Sequence, residues 1–196
     1  MLKPNNYDNV QATGDFTPII LGGHHLIIKK VEEQKNRNDG DMIVVAFDMA
    51  PGDSQPAYFA KEFANDIRPD KKWPRNGRQY INVLDSDGNT SRSFKSFING
   101  VEKSNSGFVT QWGDGFAAQF KGKRIGGVFG EVENEYNGKT SMRHELRWFC
   151  ADDKADTASI PNPKYLSNSQ KTSGVTAKEV DGFLSIPEGV DEEVPF

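Results

Sequence analysis

A chain of 196 residues is long enough for one sizeable domain with additional segments. Its composition, with 35% hydrophobic and 27% charged residues, 19 Gly and 10 Pro, favours a loop-rich β domain over a helical bundle. The single cysteine excludes an internal disulfide, and one thiol with three scattered histidines offers no metal-ligand spacing. We expect a cytoplasmic protein without a metal or cofactor. The N-terminus has no signal-peptide pattern, and no apolar stretch approaches the roughly 18 residues that cross a membrane.

The formal net charge of −4 is unevenly distributed along the chain. Residues 1–150 carry 20 Lys and Arg against 19 Asp and Glu, whereas residues 151–196 carry 4 against 9. From Glu179 onward there are six acidic residues and no basic one. The pattern predicts a near-neutral body with an anionic tail.

The predicted elements begin after a polar arm, residues 1–18. Residues 24–31 and 42–47 are β-branched and apolar on both alternating faces, which is typical of strands inside a closed barrel. Residues 57–63 are predicted to form a third strand, because prolines and a glycine precede them. Residues 64–83 show neither regular period and are predicted to be loop with short ordered pieces.

The next two elements are a helix and a hairpin. Residues 91–103 have apolar side chains at helical spacing and a serine in the N-cap position, which predicts a short amphipathic helix lying against the barrel. In the hairpin that follows, Asn137 and Gly138 can supply the positive φ angles of a tight turn. Alternation in its second strand predicts a core face consisting of Met142, His144, Leu146, Trp148 and Cys150. The outer face then consists of Arg143, Glu145, Arg147 and Phe149.

These elements predict an all-β fold with a minor helix. The specific prediction is an OB-fold-like five-stranded barrel with a helix-bearing insert and a disordered acidic C-terminal tail. The predicted boundaries are an N-terminal arm at residues 1–18, the OB-fold domain at residues 19–165 and the tail at residues 166–196. Strand count alone also allows an SH3-like barrel or a sandwich.

The most specific motif is the ending, in which an acidic run precedes an apolar Val-Pro-Phe. A flexible acidic lead that presents a rigidified aromatic suits a shallow apolar pocket rimmed by Arg or Lys, because burying the ring contributes roughly 1.5–3 kcal/mol. A solubilising tail is the alternative, but a Pro-Phe pair directly after an acidic run favours partner binding. The predicted partner-binding residues are Asp191, Glu192, Glu193, Val194, Pro195 and Phe196.

This ending resembles that of bacterial and bacteriophage single-stranded DNA-binding proteins. Residues 121–161, which begin KGKRIGGVFGEVENEYNGKT, are similar to the closing hairpin of the phage members. The resemblance implies an OB-fold body that coats single-stranded DNA during replication, recombination and repair, in the host cytoplasm if the chain is phage-encoded. It also implies a tail that recruits helicase, primase, recombinase or polymerase accessory proteins. The sequence pattern of the cellular housekeeping members does not occur in this chain. Their tetrameric assembly is therefore not inferred for it, and homo-oligomer formation stays open.

Binding of single-stranded DNA requires cations along a groove and aromatic faces on which bases stack. The densest basic-aromatic stretch consists of Arg68, Lys71, Lys72, Trp73, Arg75, Arg78 and Tyr80, although Trp73 also fits the role of a loop anchor. A second predicted patch joins Arg143, Arg147 and Phe149 of the last strand to Lys123 and Arg124 of its partner. The alternative there is a solvated face with cross-strand ion pairs. A weaker set consists of Tyr58, Phe59 and Lys61, of which one aromatic must face inward.

No sequence motif indicates an enzyme. His24 and His25 are adjacent on a strand, point to opposite faces and cannot share a metal, so we assign them structural roles. Glycine-rich phosphate loops, nucleophile elbows and HExxH helices do not occur in the sequence. The rival to a DNA-binding protein is a β-barrel adaptor or structural protein that binds only proteins through its acidic tail, a hypothesis that the near-neutral body supports.

Overall fold

The computed structural model describes residues 2–3, 7 and 17–166, and residues 17–166 form one mostly β body. Its elements in chain order are β1 (Gly22–Lys35), β2 (Asp41–Met49), α1 (Tyr58–Asn65), β3 (Arg78–Asn82), α2 (Arg92–Ser104), β4 (Arg124–Tyr136), β5 (Lys139–Cys150) and α3 (Asp152–Ala155). Two short 3₁₀ turns, Arg75–Gly77 and Ala117–Phe120, precede β3 and β4. No helix in this part of the chain is long and apolar enough to span a bilayer.

The five strands form one antiparallel sheet in the order β3-β2-β1-β4-β5. β1 lies at its centre, and a register shift at Lys29 is a bulge that bends the strand. Within the described residues the edge strands β3 and β5 do not pair with each other, so the sheet is open on that side. The 3₁₀ turn Arg75–Gly77 contacts both β2 and β5 and bridges part of this gap. The mostly β prediction is confirmed.

Eight of the 13 phenylalanines of the chain lie buried in the core of the described residues. The ring of Phe47 on β2 makes edge contacts with Phe59, Phe129 and Phe149, at centroid distances of 5.6, 6.2 and 5.7 Å. Phe97 of α2 adds a fifth ring, 5.5 Å from that of Phe149. Each fully buried phenylalanine contributes roughly 1.5–3 kcal/mol to the stability of the fold. Because Phe59 belongs to α1 and Phe97 to α2, the cluster also joins the sheet to both longer helices.

The predicted third strand is wrong, because residues 58–65 form helix α1 instead. Ala57 starts the helix in the left-handed region, at φ 56°, and provides no side-chain cap. The carboxylate of Asp48 on β2 takes that role by accepting the backbone N–H of Phe59 at 2.9 Å. Burial raises the pKa of Asp48, and the backbone N–H groups that it accepts act in the opposite direction. The short strand β3 also lies in a region predicted to be mainly loop.

Of the five residues predicted to form the core face of β5, only Leu146 is buried. Phe129 pairs with Leu146 but Val128 pairs with Trp148, so Arg147 is an extra residue that forms a bulge. After the bulge the faces exchange, and Phe149 is buried while Trp148 and Cys150 move off the core face. At the other end of β5, Met142 is 39% exposed rather than in the core, because this part of the hairpin extends past the packed layer.

Two other local predictions are confirmed. The hydroxyl of Ser91 caps α2 by accepting the backbone N–H of Phe94 at 3.2 Å. Asn137 and Gly138 have φ angles of 51° and 72°, as a two-residue hairpin turn requires.

Residues 152–166 lie on the sheet, and we call them the C-terminal clasp. A Cβ on Gly23 of β1 would lie 1.9 Å from the carbonyl oxygen of Ala155, so only glycine lets α3 approach this closely. Farther along, Lys164 exchanges backbone hydrogen bonds with β4, donating to Glu131 at 2.9 Å and accepting from Glu133 at 2.8 Å. The ordered body therefore continues well past Cys150.

Two histidines fasten neighbouring segments to β1, in agreement with their predicted structural roles. Both ring nitrogens of His24 have acceptors, the Asp53 carboxylate at 2.9 Å and the Ile20 carbonyl at 2.8 Å. His25 lies between Asp152 at 2.8 Å and Asp156 at 3.0 Å, which ties β1 to the C-terminal clasp. The hydrogen bond to Asp152, opposed by burial and supported by Asp156, raises the pKa of His25.

Candidate nucleic-acid interface

A cleft of about 510 Å³ lies between α1 and the loop that follows it. Three predicted cations line it, Lys61 from the helix and Arg68 and Lys72 from the loop. A second cleft of about 370 Å³ shares Tyr58 with the first and adds Arg75 and Arg143. We call the two adjoining clefts the α1 groove. It brings together residues from three separate parts of the sequence.

The α1 groove is electropositive in balance, because five cations line it against the two acids Glu62 and Asp66. Asp66 is already paired, with its carboxylate 2.7 Å from the guanidinium of Arg68. The side-chain hydrogen bond from Arg68 is the main reason that the pKa of Asp66 falls to about 2. Burial, with a smaller effect of Glu62, raises the pKa of Tyr58 to about 12, so this phenol stays neutral and donates to the Thr17 carbonyl at 2.8 Å.

Trp73 occupies the position of a loop anchor. Its indole N–H is shared between the carbonyl oxygens of Phe47 and Gly77, each 3.1 Å away. Its ring lies 5.7 Å from that of Phe63 on α1. Lys71 assists by donating from its ammonium group to the Ala64 carbonyl at 3.2 Å. Trp73 therefore fixes the loop that carries the groove cations.

Replacing Trp73 by Phe is expected to lower the free energy of unfolding by at least about 1 kcal/mol, because the indole N–H shared by the carbonyls of Phe47 and Gly77 is lost and the phenyl ring is smaller. Denaturation in urea, followed by circular dichroism, measures the change. A Trp148→Phe variant, which changes another partly exposed indole, is the control. Equal stability of the Trp73→Phe and wild-type proteins would contradict the anchor role.

Arg78 and Tyr80 lie on the outer face of β3, the strand that follows the residues of the α1 groove loop in sequence. The strand register places Arg78, Ala46 and Lys30 in one row across β3, β2 and β1. Tyr80 lies in the next row, beside Val44. We call this surface the β3 face. Lys30 belongs to it but was not predicted, although the polar alternation at the end of β1 points to it.

One polar atom on the β3 face is unsatisfied. The Nε–H of Arg78 is buried and has no hydrogen-bond partner among the described residues. Leaving a buried donor unpaired costs about 1–3 kcal/mol, more for a charged group. Arg78 as a whole is half-buried, so part of its side chain still reaches solvent at the β3 face.

Two predicted stacking residues are in the core. Phe59 and Phe149 are 0% and 5% exposed, so neither presents a ring face to a base, contrary to the prediction. The cause is helix α1 in the first case and the bulge at Arg147 in the second.

The predicted patch between the last two strands also does not form. Arg124 pairs in register with Ile27, whereas Arg143 lies opposite Val132, eight residues or about 26 Å farther along β4. Arg124 instead binds Asp152 at 3.0 Å. The other members have separate contacts: Lys123 lies 4.6 Å from the ring centroid of Phe108, and Arg147 donates to the carbonyl of Asn162 at 3.0 Å.

The predicted partner-binding residues Asp191, Glu192, Glu193, Val194, Pro195 and Phe196 lie outside the described residues. No protein-family model matches the chain, and no curated protein matches it in sequence. The functional assignment therefore depends on the chemistry of the α1 groove and the β3 face.

Proposed function

We propose that the chain is a non-enzymatic protein that binds single-stranded DNA without sequence preference. The observation that carries the proposal is the convergence of five cations from α1, the following loop, the 3₁₀ turn and β5 on one groove. A cationic groove that leads to an aromatic-bearing sheet surface suits a flexible polyanion with exposed bases.

The two surfaces have different chemical tasks in this proposal. Lys61 and Lys72 are exposed in the α1 groove and pair with phosphates, which replaces condensed counterions without reading the base sequence. On the β3 face, the guanidinium of Arg78 pairs with a phosphate, and the half-buried ring of Tyr80 provides a surface for a base. Stacking tolerates any base, because every base has a π face.

The strand arrangement supports an OB-fold as the finer description of the body. An OB-fold is a five-stranded, partly open Greek-key barrel that binds oligonucleotides on its β2–β3 face. The sheet order, the open β3–β5 side and the position of α2 between β3 and β4 agree with that architecture. The β3 face is then the oligonucleotide-binding surface.

The acidic C-terminal segment has the second role. We propose that residues 191–196 recruit replication, recombination or repair proteins, with the acids contacting basic residues around an apolar pocket that receives Phe196. A protein that coats single strands transiently in the cytoplasm needs such a contact, because enzymes that act on the strand must find it.

The test is a titration of fluorescently labelled oligo-dT with the full chain across a salt series, followed by anisotropy. Lys61→Ala/Lys72→Ala is expected to weaken binding about 10-fold at low salt. It should also reduce the slope of log affinity against log salt by about 1.4, since each lost phosphate contact removes about 0.7.

The matched control is Lys103→Ala/Lys154→Ala, which removes two exposed cations on α2 and α3, away from the groove. This variant should bind as the wild type does. Failure of the wild type to bind oligo-dT at any salt concentration would overturn the proposal in favour of a protein-binding adaptor. Equal losses in the two double variants would overturn the assignment of the groove.

A further inference from the structure

Trp112 is a large aromatic side chain that the proposed function does not use. It is 68% exposed, more than either other tryptophan, and it lies in the connection between α2 and β4. One face of its indole stacks on Phe116 at 5.3 Å with an interplanar angle of 16°. Phe94 of α2 supports the ring from 6.2 Å. Since both supporting rings are buried, the opposite face of Trp112 is directed to solvent.

The loop around Trp112 is held in place from both ends. The side chain of Gln119 accepts the backbone N–H of Gln111 at 2.8 Å and donates to the carbonyl oxygens of Gln111 and Phe116 at the same distance. Gly113 and Gly115 have φ angles of 106° and 83°, which other residues rarely adopt. A large apolar ring is thus fixed in an exposed position, which gives it little entropy to lose on binding a flat ligand.

The charges at the N-terminus of α2, the helix whose Phe94 contacts Trp112, favour an anionic ligand. Arg92 and Lys95 are exposed on the first turns of α2, on either side of Phe94 in sequence. The N-terminus of this 13-residue helix adds the positive end of its dipole. Asp114 is the acidic residue in the loop that carries Trp112. The carboxylate of Glu102 already accepts a hydrogen bond from the backbone N–H of Thr110 at 3.0 Å.

A series of contacts connects the end of β3 with Trp112. Asn82 ends β3 two residues beyond Tyr80, and its carbonyl accepts a hydrogen bond from the hydroxyl of Ser91. Ser91 caps α2 at Phe94, which contacts Trp112. These contacts join the end of β3 to the N-terminus of α2 and to Trp112.

We propose that Trp112 is a stacking platform for an unpaired base of single-stranded DNA, with Arg92 and Lys95 contacting the adjacent phosphates. The inference rests on the proposed function and extends the path of the strand from the α1 groove and the β3 face to the far end of β3. Stacking of one base in this way is sequence-tolerant.

The experiment compares Trp112→Ala and Trp112→Phe with the wild type in the same oligo-dT salt series. Trp112→Ala should weaken binding roughly 5- to 150-fold, the range for loss of one stacked base. The slope against salt should stay the same, because no ion contact is removed. Trp112→Phe should recover most of the affinity. Tyr165→Ala, which removes a 67% exposed aromatic from the C-terminal clasp, is the matched control and should bind normally.

The outcomes separate this inference from the proposed function. If Lys61→Ala/Lys72→Ala weakens binding while Trp112→Ala binds like the wild type, the platform is overturned and the groove stands. If the wild type does not bind oligo-dT, both fail. A shift of Trp112→Ala from oligomer to monomer in sedimentation, with unchanged DNA affinity, would identify the patch as a contact between copies and overturn the platform. Unfolding in urea checks that Trp112→Ala is folded.

Discussion

Replacing Asp53 by Asn is expected to lower the free energy of unfolding by about 3 kcal/mol at pH 5.5, and by about 1 kcal/mol at pH 9. Asp53 and His24 are 9% and 1% exposed and form an ion pair at 2.9 Å. Removing one partner of a buried pair leaves an uncompensated charge, which usually costs about 3–5 kcal/mol. The lower end applies here because the amide introduced by the substitution keeps an acceptor for the imidazole.

The pH dependence follows from the pKa shifts of the two groups. Burial alone would lower the pKa of His24, but the hydrogen bonds to Asp53 and Ile20 and the charge of Asp53 outweigh it and raise the pKa above 6.5. The contribution of His24 to the free energy of unfolding is therefore complete below pH 6.5 and is lost as the pH rises through the raised pKa. Burial would raise the pKa of Asp53, but the contacts with His24 and backbone N–H groups lower it below 3.8. The contribution of Asp53 is present above pH 3.8 and is lost on acidification, so the pair stabilises most between about pH 4 and 6.5.

Urea denaturation at pH 5.5, 7 and 9, followed by circular dichroism, measures the effect. Asp156→Asn changes the exposed carboxylate beside His25 and should cost less than about 1 kcal/mol at every pH. A loss for Asp53→Asn that is the same at pH 5.5 and pH 9 would show that His24 is not charged in the folded protein.

Local patterns in the sequence predicted much of the fold, because the elements concerned are specified by their own residues. The helix at residues 91–103 and the Asn137-Gly138 turn have their caps and turn residues within the segment. Helix α1 and the bulge at Arg147 are not specified by residues within their own segments. The N-terminal cap of α1 is Asp48, from another element, and no pattern within the segment places it there. The bulge likewise appears only in the pairing of β5 with β4.

The same distinction applies to the candidate site. The basic-aromatic composition of residues 68–80 was visible in the sequence, and the structure assigns its members to three places: the α1 groove, the loop anchor and the β3 face. The meeting of Arg75 with Arg143 depends on the 3₁₀ turn that contacts β5. Trp112 was missed because its neighbours in sequence are glycine, glutamine and one acid, and the cations near it belong to α2.

The C-terminal clasp provides the second large expected effect. Replacing Gly23 by Ala should lower the free energy of unfolding by about 3 kcal/mol, because the new Cβ would lie 1.9 Å from the Ala155 oxygen and 2.6 Å from its carbonyl carbon. Both are backbone atoms, so no side-chain rotation relieves the clash. Either β1 or α3 must move, and α3 has four residues whereas β1 is paired on both sides.

The comparison variant is Gly52→Ala, because a Cβ there meets no atom within 4 Å and its φ angle is not positive. It makes the same chemical change and should alter stability by less than about 0.5 kcal/mol. A second measurement identifies the element that moves. Since the hydrogen bond to Asp152 is the main reason that the pKa of His25 is raised, displacing α3 should bring that pKa back toward 6.5 in an NMR titration. A Gly23→Ala protein with wild-type stability and an unchanged His25 pKa would show that the C-terminal clasp does not lie against β1.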